Sequence, residues 1–278
     1  MINKLEYMLD SDFRKLSNLI FNDYGIKMPM SKKVMLESRL RKRLKANNMT
    51  TFNEYCKFVF SDEGIRNELV HMIDVVSTNK TDFFREPLHF EYMSEFLLPR
   101  HLNKPRREPL RIWSSAASTG EEAYTIAITI EEFLQKEKLF DYSIHCTDIS
   151  TRVIEKAVDG IYDLERVGRI PMEIKKKYFL KNKDPEKPMV RVVPALRRKL
   201  TFNRLNLIDD VYKVPHDFDL IFCRNVLIYF DKPTQERVIN KLCMKLKPGG
   251  IFLLGHSESV SGINVPLRAI KPTIYERI

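Results

Sequence analysis

The chain has 278 residues, 44% hydrophobic and 30% charged, which allows a buried core and argues against disorder. Its formal net charge of +10 is local: residues 27–45 carry a net of +7 and residues 165–199 a net of +8, leaving about −5 for the rest. No apolar run reaches the ~18 residues of a membrane span, the start Met1-Ile2-Asn3-Lys4-Leu5-Glu6 is too polar for a signal peptide, and neither cysteines nor histidines show metal-ligand spacing. Cys146 and Cys223 lie in strand-like runs and read as small buried hydrophobes. A cytoplasmic location without a metal centre is the expectation.

Residues 1–76 read as a small all-helical domain. Ser31 is a candidate N-cap, and Leu36, Leu40 and Leu44 then recur every four residues as an apolar stripe. Lys32, Arg39 and Arg43 share a neighbouring face, with Arg41, Lys42 and Lys45 close by, so this helix is amphipathic and strongly basic. A solvated face and a docking surface for an anionic partner both fit that pattern. Phe52, Tyr55, Phe58 and Val59 form the buried side of the next helix. Residues 77–104 read as a linker and connecting helix, with Pro87 suited to the first helical turn.

From residue 105 the chain is punctuated by Pro105 and Pro109, and strand-like and helix-like segments then alternate. Strands are predicted at 110–115, 143–147, 200–204, 218–223 and 251–254, and helices at 121–136, 151–158 and 233–246. This implies βαβ units and a doubly wound, mostly parallel α/β sheet over 105–278, with residues 267–278 adding an antiparallel pair. Residues 160–200 break the alternation: a Lys-rich helical piece at 173–180, the turn-rich Asp184-Pro185-Glu186-Lys187-Pro188, and a β-branched run at 189–193. They predict an inserted, small antiparallel β subdomain.

Ligands of open α/β sheets bind at the carboxyl edge of the strands, and four segments fall there. The stretch from Trp113 to Glu122 is rich in small residues and opens a helix, but it is not GxGxxG. Two carboxylates at that helix start, Glu121 and Glu122, repel a pyrophosphate and suit a ligand with a cationic group. Ser118 and Glu121 also have capping-box spacing, which leaves Glu122 to reach the ligand. Asp148, ending the second strand, can accept from ribose hydroxyls or cap the next helix, and by itself it does not choose between NAD and S-adenosylmethionine. Asn206 and Leu207 offer an amide and an apolar face. Arg224 and Asn225 stand at the mouth of an apolar strand, where polar groups are costly unless paired.

The ordered set of motifs resembles the CheR-type chemotaxis receptor methyltransferases over nearly the full length. The matching segments are Thr78 to Arg85, Ser114 to Tyr124, Thr147-Asp148-Ile149, Asn206-Leu207, Cys223 to Asp231, and Gly255-His256-Ser257-Glu258. Ala123 stands where many members have proline. The resemblance implies a class I methyltransferase-like fold with a helical N-terminal domain and an inserted β subdomain. It implies transfer of a methyl group from S-adenosylmethionine, released as S-adenosylhomocysteine, to glutamate side chains of methyl-accepting chemoreceptors. It further implies that Asn79, Thr81 and Arg85 touch the cofactor, Glu122 and Asp148 hold its methionyl and ribose parts, and Asn206 and Leu207 its adenosine end. Arg224, Asn225 and Tyr229 would line the site near the sulfonium.

A glutamate carboxylate is already ionised at neutral pH and needs no general base, so alignment and exclusion of water remain. Arg85 is the expected orienter of a carboxylate and Tyr229 a wall and hydrogen-bond donor beside the sulfur. The basic helix at Lys32, Arg39 and Arg43 is expected to dock on the acidic cytoplasmic receptor, with the 160–200 insertion as a second contact. In some members that subdomain grips a receptor tail through a glycine-bearing loop; residues 180–188 contain no glycine, which speaks against tail binding. A nucleic-acid methyltransferase lacks the aromatic stacking motif it needs here. An NAD enzyme lacks the glycine loop, and an inactive adaptor fits poorly with intact Asp148, Asn225 and Arg85. The expected state is a monomer that binds no nucleic acid and inserts in no membrane.

Overall fold

The apolar spacings of the first third produce short helices. A computed structural model describes residues 7–104, 108–137 and 140–278, so the readings of the first six residues and of Pro105 fall outside the described residues. Helices α1 (Asp10–Tyr24), α2 (Lys33–Ala46), α3 (Phe52–Val59), α4 (Asp62–Asn67) and α5 (Leu69–Val76) form a bundle. The predicted stripe Leu36, Leu40 and Leu44 packs with Phe13, Leu16, Ile20, Tyr55 and Met72 in one core. Cys56 is buried beside Phe52, Tyr55 and Val59, whereas Phe58 is only half-buried. Ser31 does not cap α2. It lies inside a 3-10 turn, Met30–Lys32, that runs straight into the helix, and the helix start has no side-chain cap. The cap with a full reciprocal box is Thr51 with Glu54, at the start of α3.

After the linker, α6 (Leu88–Tyr92) passes through a π-helical turn at Met93–Leu97 into α7 (Leu98–Leu102). The alternating part then follows: β1 (Leu110–Ser114), α8 (Glu121–Glu137), β2 (Tyr142–Asp148) and α9 (Thr151–Asp159). The insertion supplies β3 (Ile161–Asp163), α10 (Met172–Tyr178), β4 (Phe179–Lys181), β5 (Met189–Val192) and α11 (Pro194–Arg197). The chain closes with β6 (Leu200–Arg204), β7 (Phe218–Cys223), α12 (Lys232–Cys243), β8 (Leu246–Leu254), β9 (Leu267–Lys271) and β10 (Ile274–Arg277). Strand β8 begins five residues before the predicted start, because Leu246 already pairs with Phe218.

The main sheet has the order β6-β2-β1-β7-β8-β10-β9. Its first five strands are parallel, and β10 returns antiparallel against β8 and β9. This is the class I methyltransferase-like arrangement. Two apolar layers cover its faces. One centres on Ile112, Ile144, Phe222 and α8, and the other on Trp113, Ile221, Phe252 and α12. Strand alternation explains the division, since Ile112 and Trp113 are neighbours on opposite faces. The insertion forms its own antiparallel sheet, β3-β5-β4. All four cysteines are free and buried.

Candidate active site

The order reverses beside β1, and the carboxyl ends of β1, β2, β6 and β7 open onto one cavity of about 240 Å³. The loop after β1 is strapped to its neighbours: Ser115 N–H donates to Phe222 O (2.9 Å) and Ala117 N–H to Thr147 O (2.9 Å). Ser118 then takes a left-handed conformation, φ 48°. That turn aims its N–H at Asp148 Oδ2 (2.8 Å) and its hydroxyl at Asn79 O (3.1 Å). The predicted capping box is therefore absent. Glu121 instead accepts from Thr119 Oγ1 (2.5 Å) and pairs with Arg166 (2.6 Å). Asp148 does not cap α9, since Ser150 does that. Its Oδ1 accepts from Ser150 N–H (3.0 Å). Burial raises the Asp148 pKa, opposed by those backbone donors.

At the end of β7, Arg224 is buried and fully engaged. It meets Glu122 (3.0 Å), Glu86 (2.9 Å) and the Arg85 carbonyl (2.6 Å). Glu122 also accepts from Ser114 Oγ (2.7 Å), so this carboxylate is already partnered where the sequence left it free for a ligand. Burial pushes its pKa up and Arg224 opposes. Asn225 is left-handed, φ 59°. Its N–H donates to Glu258 Oε2 (2.8 Å) and its amide to Glu86 Oε1 (3.2 Å). Glu258 also accepts the N–H groups of Leu227 (2.7 Å) and Gly255 (2.7 Å). A Cβ at Gly255 would stand 2.4 Å from the Asn225 amide nitrogen, so only glycine leaves that amide its place. Glu86, itself at φ 57°, organises both β7 side chains. Burial raises its pKa, but Arg224, Asn225 and the His256 N–H outweigh that and hold it below the usual range. Nothing local in the sequence marked Glu86, because the groups it hydrogen-bonds through its side chain, Arg224, Asn225 and the His256 N–H, lie more than 130 residues away.

Asn79, Thr81, Arg85, Glu122, Asp148, Asn206, Leu207, Arg224, Asn225 and Tyr229 all line the cavity. Its roof was not foreseen. Tyr24, Ile26, Met28, Lys32 and Met35 from the helical bundle complete the wall. Asn206 Nδ2 donates to Asp23 O (2.7 Å), Lys27 N–H donates to Tyr229 O (3.0 Å), and Lys32 Nζ sits 6.0 Å from the Tyr229 ring centre.

Residues 11–77 match the family described as "CheR methyltransferase, all-alpha domain", and residues 79–275 match "CheR methyltransferase, SAM binding domain". The chain belongs to the CheR methyltransferase family. It is similar to the chemotaxis protein methyltransferase of Borreliella burgdorferi, at 37% identity over 96% of this chain and 94% of that one. It is also similar to chemotaxis protein methyltransferase 2 of Pseudomonas aeruginosa (39%, 95% and 92%) and to the chemotaxis protein methyltransferase of Klebsiella aerogenes (39%, 96% and 89%).

In this CheR-family chain the basic helix uses part of its charge internally, while Lys42 and Lys45 stay exposed. Arg43 forms two 2.7 Å bonds to Glu68, which Tyr55 also reaches (2.8 Å). Arg39 donates to the carbonyls of Val76 and Ser77 and to Thr78 Oγ1 (3.2 Å). Arg39 fixes the start of the linker, Arg43 is paired with Glu68 at the start of α5, and Lys32 faces the cavity. The insertion is divided. Arg166 pins the linker through Thr81 O, Asp82 (3.0 Å) and Glu121, and Lys177 meets Glu132 (3.1 Å). Lys176, Lys181, Lys183 and Lys187 are exposed. No helix among the described residues is long and apolar enough to cross a membrane.

Proposed function

We propose that this CheR-family methyltransferase moves the methyl group of S-adenosylmethionine onto glutamate side chains of chemoreceptors, in the cytoplasm. The observation that carries the reading is the convergence of the linker, four strand ends and the helical roof on one cavity whose donors suit this cofactor. Asp148 has both oxygens steadied by backbone N–H groups and keeps lone pairs for ribose hydroxyls. Ser115 and Ala116 leave room for close approach, and Ile149, Leu207 and Asn206 offer an apolar face and an amide for adenine. Asp82, Glu122 and Arg85 supply opposite charges for the ammonium and carboxylate of the methionyl part.

When bound, S-adenosylmethionine supplies a sulfonium-activated methyl group and leaves as S-adenosylhomocysteine. The protein orients the acceptor and excludes water. Arg85 lies at the cavity edge, where its Nη1 donates to Lys80 O (2.9 Å) and its remaining donors can orient a carboxylate. Tyr229 walls the cavity beneath Lys32. No proton need be removed from an ionised glutamate, so the chain needs no base at neutral pH. The acidic receptor surface is met by the exposed lysines of the insertion rather than by Arg39 and Arg43. Arg85→Ala and Tyr229→Phe should each lower receptor methylation at least about tenfold while the fold is kept, read by radiolabelled methyl transfer and circular dichroism. Turnover equal to wild type in both would remove them from the mechanism. Base-labile methyl ester on receptor glutamates is the product expected, and a label on any other group would refute the acceptor.

A further inference from the structure

The Gly255-His256-Ser257-Glu258 segment contributes Glu258, Gly255 and the His256 N–H to the site, but the His256 side chain has no role there. Its side chain is half exposed and meets His89 edge-on, ring centres 5.6 Å apart. His89 is 1% exposed. Its Nε2 lies 2.8 Å from Thr273 Oγ1, and that hydroxyl donates its own proton to Pro272 O (2.6 Å). Thr273 therefore accepts, the imidazole proton sits on Nε2, and Nδ1 keeps a bare lone pair. This buried Nδ1 has no hydrogen-bond partner and faces Glu86 Oε2 at 3.8 Å. His256 Nε2 stands 4.0 Å from the same oxygen. All three ligand atoms lie within 4.8 Å of one another. A lone pair opposed to a carboxylate in a buried gap is unfavourable unless a positive group lies between them.

We propose that Glu86, His89 and His256 form a divalent transition-metal site, with Zn²⁺ the natural occupant. Two imidazoles and one carboxylate are a zinc-type donor set. Tetrahedral bonds of about 2.0–2.1 Å place ligand atoms roughly 3.3 Å apart, so Glu86, now 3.8 and 4.0 Å from the two imidazole nitrogens, must close on them by about half an ångström or a little more, and the nitrogens, which lie within 4.8 Å of each other, on one another by up to about 1.5 Å. The exposed His256 side chain can rotate to do so. Thr273 holds the His89 ring in the tautomer that leaves Nδ1 free, as an outer-shell partner should. The exposed side of His256 leaves the fourth position to solvent. Glu86 also serves Arg224 at 2.9 Å, so the metal competes with a guanidinium and binds less tightly than in a closed structural site.

Co²⁺ titrated into the full-length protein tests this. One equivalent should give a tetrahedral ligand-field spectrum in the visible, displaced by one equivalent of Zn²⁺. His256→Ala, at a half-exposed position that leaves the fold intact by circular dichroism, should weaken Co²⁺ binding at least about tenfold, and Thr273→Val should weaken it about tenfold. His216→Ala, a solvent-exposed histidine on another part of the surface, should bind as wild type does. Absence of the spectrum at millimolar Co²⁺, or equal binding by wild type and folded His256→Ala, overturns the assignment.

Discussion

Two stretches of this chain are equally basic on paper and differ in what they do with the charge. In α2 the arginines turn inward: Arg43 closes a buried pair with Glu68, and Arg39 ties down the carbonyls that start the linker. In the insertion Arg166 does comparable work and Lys177 and Lys199 pair with Glu132 and Asp141, while Lys176, Lys181, Lys183 and Lys187 stay in water. The residue type marks the difference. A planar guanidinium with five donors can satisfy a carboxylate and several carbonyls at once, whereas a lysine ammonium is strongly hydrated. Net charge alone therefore located neither surface, and the split between arginine and lysine is a partial guide, since Arg169 and Arg198 of the insertion are exposed as well.

Arg43→Ala should have the largest effect. It strands the Glu68 carboxylate, 2% exposed, beside Tyr55, and should cost about 3–5 kcal/mol in denaturant unfolding. A loss below about 1 kcal/mol would mean that α2 is as dispensable as the insertion's rim. Arg166→Ala leaves Glu121 buried without its cation and should cost about 2–3 kcal/mol, with weaker S-adenosylhomocysteine binding by calorimetry because Thr81 and Asp82 lose their anchor. Acid gives a smaller, graded effect. Burial raises the Glu68 pKa, but Arg43, Asn47 and Tyr55 outweigh it and hold it below its ordinary value. Its stabilising contribution is thus complete above the ordinary glutamate value of about 4.3 and fades as pH falls through the lower folded value. Thermal melts should show this loss below about pH 4.3 in wild type and not in Glu68→Gln. The smallest effect on the fold is expected for Lys181→Glu with Lys183→Glu: stability within about 0.5 kcal/mol and unchanged cofactor affinity. Receptor methylation should nevertheless fall several-fold and lose its salt dependence. Unaltered methylation would refute the insertion as a receptor contact.

The sheet was legible in the sequence because its central strands, β1, β2 and β7, are mostly buried runs and its segments are set off by Pro, Gly and polar turns. β6 and β7 begin and end where alternation says they should. The residues of the cavity were legible because carboxyl strand ends must face it, and Asp148, Asn206, Arg224 and Asn225 do. What stayed hidden depends on contacts far apart in sequence or on unusual backbone. Ser118 and Glu121 have the spacing of a capping box, but φ 48° at Ser118 sends the hydroxyl to the linker instead. Phe84 and Glu86 are also left-handed, and neither residue type announces that conformation. Such torsions cost on the order of 1 kcal/mol each and gather where the linker crosses the sheet edge. The roof was invisible for a simpler reason: Tyr24, Ile26, Met28 and Met35 are ordinary hydrophobes that any bundle would use, and Lys32 was read as part of an outward basic face.

That roof makes the ligand part of the architecture. The cavity wall is drawn from both the helical bundle and the sheet, which are joined there by Asn206 to Asp23, Lys27 to Tyr229 and Thr151 to Asp74 (3.0 Å), by Lys32 over the Tyr229 ring and by Ile149 packed on the bundle core. A molecule gripped by both halves adds its own binding free energy to the seam only while both are folded. Filled, the protein should therefore melt at a higher temperature than when emptied, so that the cofactor, besides giving up its methyl group, acts as mortar between the two halves.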